Sequence, residues 1–232
     1  AKPPGDPSGE IDNGPGCMPA VMASVVLMGI IGFITCAFST WVLYQKRTEL
    51  ATRTLKEAYL PELEQSLLEP ETKAAVMQAV TELAADMERG KLEDWQSAGV
   101  MQRLQRLPVL QWGDLQAIES FVIKTGTAQQ GAEATKQFDR LRYSVAAGRG
   151  TSFDFYDVLS PTQVDDPELP SGRRLMQPLE LEACMDTVKR SELLADREQV
   201  AVDFDASTSD KSLRIETIMR DEIRDAIREG GF

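Results

Sequence analysis

Three close pairs of carboxylates, Asp154 with Asp157, Asp165 with Asp166 and Asp203 with Asp205, are the residues of this chain best suited to acid–base chemistry. Such pairs work when their surroundings push the two pKa values apart, so that one carboxyl keeps a proton while the other is ionised. With 37 acidic against 25 basic side chains and a net charge of -12, these pairs read first as solvated surface groups. Histidine is absent. That removes every proton relay through imidazole and the commonest transition-metal ligand. Asp205, Ser207, Ser209 and Glu216 follow the ligand spacing of an EF-hand loop, but the template needs glycine at its sharp turn, where Asp210 stands. Ser209 or Asp210 capping the final helix accounts for the same residues. Cys184 has Lys189 and Arg190 nearby but no base. Gly148-Arg149-Gly150 is too short for a phosphate loop and lacks the Lys and Ser or Thr that follow one. The residues therefore predict no catalytic centre, no metal site and no cofactor, and a protein that is not an enzyme.

What remains is recognition, and the elements say where it would occur. No charged residue falls within 19–44, and a helix of that length reaches about 39 Å, more than a bilayer's hydrocarbon core requires. Trp41 and Tyr44 would lie at the headgroup level with Lys46 and Arg47 beyond, as membrane-interface anchors. A cleavable signal has a basic start and a shorter apolar core, so the segment reads as an uncleaved anchor. Cations cluster after it, at Lys46, Arg47, Arg53 and Lys56, with only Lys2 before it. The positive-inside rule then predicts an N-terminus outside the cell membrane and a cytoplasmic C-terminal region. Along the span, Gly29, Gly32, Cys36 and Ser39 recur at helical spacing and make a candidate helix-docking face.

Helical periodicity runs through the rest, predicting a mainly α fold: one transmembrane helix, a small helical bundle and a C-terminal amphipathic helix. The expected divisions are a disordered Pro/Gly-rich tail at 1–17, the transmembrane helix at 18–45, a juxtamembrane helix and bundle at 46–159, an acidic Pro-rich linker or loop at 160–174, and C-terminal helices at 175–232. Leu50, Leu55 and Tyr59 mark a juxtamembrane helix that Pro61 breaks or kinks. Val76, Val80, Leu83 and Met87 mark a helix opened by Pro70 and closed at Gly90. Trp95, Val100, Leu104 and Leu107 mark a third, stopped by Pro108. Leu115, Ile118, Phe121 and Val122 mark a fourth, starting near Asp114 as N-cap after Gly113. Ala134, Phe138, Leu141 and Val145 mark a fifth, after a polar stretch at 125–131. Phe153, Phe155 and Tyr156 form an aromatic cluster, read as core with a partner anchor as the alternative. Pro178 opens a helix carrying Leu181, Met185, Val188 and Leu194. Ile215, Met219, Ile223 and Ile227 form a narrow seam on the last helix, at 211–229, suited to one other helix within the domain or on a partner.

The preferred reading is a membrane-anchored helical interaction protein, an accessory or scaffold subunit. Its partners would be membrane lipid, other proteins and, through the docking face, a second copy; so acidic a chain repels nucleic acid. A single-pass sensor is the alternative, and a carboxylate-based hydrolase ranks below both. The hydrolase would need a concave site with divergent carboxylate pKa values.

Overall fold

The computed structural model describes residues 18–167, 169 and 171–229, without the side chains of 18–20 and 43–45. The expectations placed on 1–17, on the Tyr44 side chain and on Glu168 and Pro170 lie outside the described residues. The chain divides into two compact units, Ala1–Lys46 and Arg47–Phe232.

The first unit is helix α1 (Met18–Gln45). Its hydroxyls donate back to the helix's own carbonyls: Ser24 to Val21, Thr35 to Ile31 and Thr40 to Cys36, each at 2.8 Å. Those bonds satisfy groups that apolar surroundings would otherwise penalise. Val21–Val42 is long and apolar enough to cross a membrane, and none of it is buried within the protein.

Among its described residues, the second unit is helical apart from one hairpin and the connecting loops. It opens with α2 (Arg47–Thr54), a π-helical turn (Leu55–Tyr59) and α3 (Leu60–Gln65), one after another without a break. Of the two outcomes expected at Pro61, a break or a kink, the break does not occur; the proline sits in the first turn of α3. Proline removes one ladder bond. The turn before it is already widened, with the Leu60 N–H donating to the Leu55 carbonyl, five residues back.

Helix α4 (Pro70–Glu88) buries Val76, Val80, Leu83 and Met87 as its spacing predicts. Gly90, at φ +65°, turns the chain in the left-handed region just past it. Helix α5 (Asp94–Arg106) starts from a capping box of Glu93 and Gln96. Trp95 belongs to its exposed side rather than the core: the indole remains 44% exposed and donates to the Glu93 carboxylate at 2.5 Å.

Pro108 does stop α5, but α6 (Val109–Thr125) begins at the very next residue rather than near Asp114. Helix α7 (Ala128–Ala146) likewise starts earlier than its apolar pattern suggests, because Thr127 and Gln130 form a capping box inside the polar stretch. Helix α8 (Ser152–Leu159) buries Phe155, whose ring stacks on Trp112 at 6.1 Å between centroids. Phe153, by contrast, is 73% exposed.

Within the segment expected as a linker or loop, two short strands form a β-hairpin. Strands β1 (Gln163–Asp165) and β2 (Arg173–Leu175) pair antiparallel, Val164 opposite Arg174. Helix α9 (Leu181–Arg197) packs on α7 and α8, and α10 (Ile215–Glu229) packs on α5 and α4, so 47–232 forms a single unit. One buried cation helps close it. Arg140 on α7 is 1% exposed and donates to the Val200 carbonyl at 2.6 Å, the Ala201 carbonyl at 3.0 Å, Gln137 at 2.7 Å and Asp196 at 2.6 Å. It thereby pins the turn after α9 to the core.

Candidate binding pocket

A pocket of about 210 Å³ opens where α3, the start of α6, α8 and the hairpin meet. One glycine makes this meeting close. A Cβ on Gly113 would lie 2.4 Å from both the Leu67 carbonyl carbon and the Leu68 nitrogen, so only glycine lets the α3–α4 loop backbone touch α6. The next residue, Asp114, shares a helix face with Leu110 and Gln111, and all three line the pocket. Glu62 and Gln65 line it from α3 by similar spacing, and Ser66 from the residue that ends that helix. Tyr156 comes from α8, and Gln163, Arg173, Arg174 and Leu175 from the hairpin.

Burial pushes the Asp114 carboxyl up to about 6, opposed by a hydrogen bond from the Gln163 side chain. Since that amide donates its N–H to the carboxylate, its oxygen is left over, and Gln163 Oε1 is buried without a partner. Burial also raises Glu62. Each carboxyl is raised by its own desolvation rather than by repulsion from the other, which is not how two groups sharing a proton behave. The chemistry on offer is a recessed negative charge between apolar walls, with amides and arginines near it.

The carboxylate pairs singled out in the sequence lie elsewhere, or serve the fold. Asp154 is pushed up by burial but held below its usual range by hydrogen bonds from Thr151 and Arg197, which outweigh it. Asp165 and Asp166 face Arg173 at 3.9 Å and Arg174 at 3.1 Å across the hairpin. Asp205 accepts from the hydroxyl and the backbone N–H of Ser207, which lower its pKa and cap a short 3-10 turn. Glu216, the last residue of the EF-hand spacing, is buried on α10 with Arg214 at 2.5 Å. Among the described residues, no three His, Cys, Asp or Glu side chains converge as a metal site would need. Cys184 is fully buried, and burial pushes its thiol up to about 11. Arg149 donates to the Glu198 carbonyl, so the Gly148–Gly150 turn is tied into the fold.

The remaining candidates separate cleanly by unit. Gly29, Gly32, Cys36 and Ser39 are exposed on α1, with open space around both glycines. Trp41 is 54% exposed and Lys46 is exposed. Arg47 belongs to the second unit, where its guanidinium lies 3.6 Å from Asp94. The α10 seam meets a helix of its own chain. Ile215 and Met219 are fully buried, Ile223 and Ile227 pack against the core, and Arg103 of α5 reaches Glu222 at 3.2 Å and Glu229 at 3.4 Å.

Sequence reasoning did not find this pocket, because Asp114 looks like a helix cap. A signal existed: Val109, Trp112, Leu115, Ile118 and Val122 keep helical spacing straight through Gly113. No protein-family model matches this chain, and no curated protein or solved structure matches it either.

Proposed function

We propose that this is a membrane-anchored helical interaction protein, in which α1 crosses the bilayer and the 47–232 domain binds partners at the cytoplasmic face. The observation that carries the reading is the contrast between the units. The domain buries the apolar stripes of its own helices, whereas Val21–Val42 leaves its apolar side chains uncovered. Water penalises such a surface and lipid does not.

Orientation is supported by the cations after the span. Arg53 pairs with Glu57 at 2.7 Å and Lys56 with Glu88 at 2.5 Å, but the positive-inside rule counts cations rather than net charge, so these pairs leave the bias intact. Self-association through the Gly29, Gly32, Cys36 and Ser39 face belongs to the same proposal. Recognition by the domain is assigned to the pocket around Asp114, since the α10 seam is already occupied. Binding is favoured over hydrolysis there because burial moves both carboxyls in the same direction instead of pushing them apart.

Membranes carrying the full chain should retain it through an alkaline carbonate wash, and a reporter fused after Phe232 should be active on the cytoplasmic side. Release into the wash would overturn the anchor. A reporter active only on the far side would overturn the orientation.

A further inference from the structure

Four charged side chains, two of each sign, line the pocket, and their pairing is uneven. Arg173 and Arg174 each face an aspartate of the hairpin, Asp165 at 3.9 Å and Asp166 at 3.1 Å, and both guanidinium side chains are about half exposed. Their charge is met by carboxylates and water. Asp114 and Glu62 are different: among the described residues, neither takes part in an ion pair. Asp114 is the more enclosed of the two, and its hydrogen bond comes from a neutral amide, Gln163.

An ionised carboxylate has about four acceptor sites, and removing it from water is tolerable when several donors replace the lost hydration. Here one donor does so. Beside it lies a second unmet acceptor, the buried oxygen of Gln163. Two adjacent acceptors short of donors, one of them charged, match a cation rich in N–H groups. An ammonium group has three such donors and no acceptor. Leu67, Leu110, Leu169 and Leu175 supply aliphatic patches among the polar lining, and the space of about 210 Å³ suits a narrow chain rather than a large ring system.

We propose that the pocket between α3, α6 and the hairpin binds a primary ammonium ion carried on a short aliphatic stem, with the Asp114 carboxylate as its counter-ion and Gln163 Oε1 as its second acceptor. The inference rests on reading this pocket as a binding site and is independent of the membrane anchor. A free amine and a lysine side chain share this chemistry, and the probes separate them.

The experiment uses the full chain in lipid nanodiscs, titrated by calorimetry with n-butylammonium, 1-butanol and butyrate, which share a stem and differ in charge, and with a lysine capped at both its amino and carboxyl ends. Butylammonium should bind roughly tenfold more tightly than butanol, with butyrate weaker still. Asp114→Asn should erase the preference for ammonium over the alcohol while retaining a cooperative melt. The wild-type series stands without any variant, so a misfolded Asp114→Asn protein does not remove the test. Capped lysine binding more tightly than butylammonium supports a peptide source, and the reverse order supports a small amine. Butyrate binding best would overturn the charge assignment while leaving a binding pocket, now one in which the arginines seat an anion. Ammonium affinity unchanged in Asp114→Asn would overturn the counter-ion. If none of the four probes binds at millimolar concentration, the reading of the pocket as a binding site fails as well.

Discussion

Asp114 shows how a single side chain can work against the fold that holds it. Its carboxyl sits at about 6 rather than at 3.8, because burial disfavours the ionised form. The folded protein therefore holds this proton more tightly than the unfolded chain does. Between those two values stability must fall as pH rises, and above about 6 the whole penalty is present. Replacing Asp114 by Asn removes the charge and allows the Gln163 amide to turn and accept from the new N–H. At pH 7 the variant should be more stable than the parent by on the order of 1 to 2 kcal/mol, after allowing for the water that reaches the pocket. Well below the unfolded value of 3.8, by about pH 3, the difference should vanish. Urea unfolding of both proteins across that range checks this; a gap that stays constant with pH would show that the Asp114 charge is not what destabilises the parent. Glu62 contributes in the same direction and Asp154 in the opposite one, but both are common to the two proteins and cancel in the difference.

The elements explain why some of this was legible in the amino-acid sequence and some was not. Helix α4 announces itself through Pro70, through Val76, Val80, Leu83 and Met87, and through Gly90, each a local signal that agrees with the others. In α6 two signals conflict. Gly113 followed by Asp114 resembles a helix start, whereas the apolar spacing from Val109 onward continues through both residues. The conflict is resolved by tertiary contact, since Gly113 is small for the sake of the loop at Leu67 and Leu68, which lies far off in sequence. The candidate pocket was hidden for the same reason: its acid is a mid-helix residue, and its wall is a hairpin whose strands are too short to show alternation. Gly113→Ala tests this account directly. Alanine is the better helix former by about 1 kcal/mol, so a purely local view predicts stabilisation. The added Cβ would instead meet backbone that cannot move aside without displacing Leu68, which is buried. Destabilisation of about 3 kcal/mol or more is expected in the same urea assay, and a melt equal to or above the parent's would refute the close approach.

At the scale of the whole molecule, the two units divide the work of bearing apolar surface. Lys46 and Arg47 mark the boundary, and on the C-terminal side Thr48 donates to Asp94 at 2.7 Å while Arg47 lies 3.6 Å from the same carboxylate, so the first turn of α2 is fastened to α5 within its own unit. The core residues from Leu55 on α2's continuation to Met219 on α10 all lie in that unit. Among the described residues, that core is built from side chains of the second unit. A fragment comprising 47–232 should therefore be monodisperse without detergent and should unfold in a single cooperative transition, with the same helical signal per residue in its domain as the full chain. The full chain, with Val21–Val42 uncovered, should need lipid or detergent to stay dispersed. Sedimentation of both proteins with and without detergent, followed by circular dichroism melts, separates the possibilities. A fragment that aggregates or melts without cooperativity would mean that the domain borrows stability from α1, and a full chain dispersed in plain buffer would mean that α1 finds cover other than lipid.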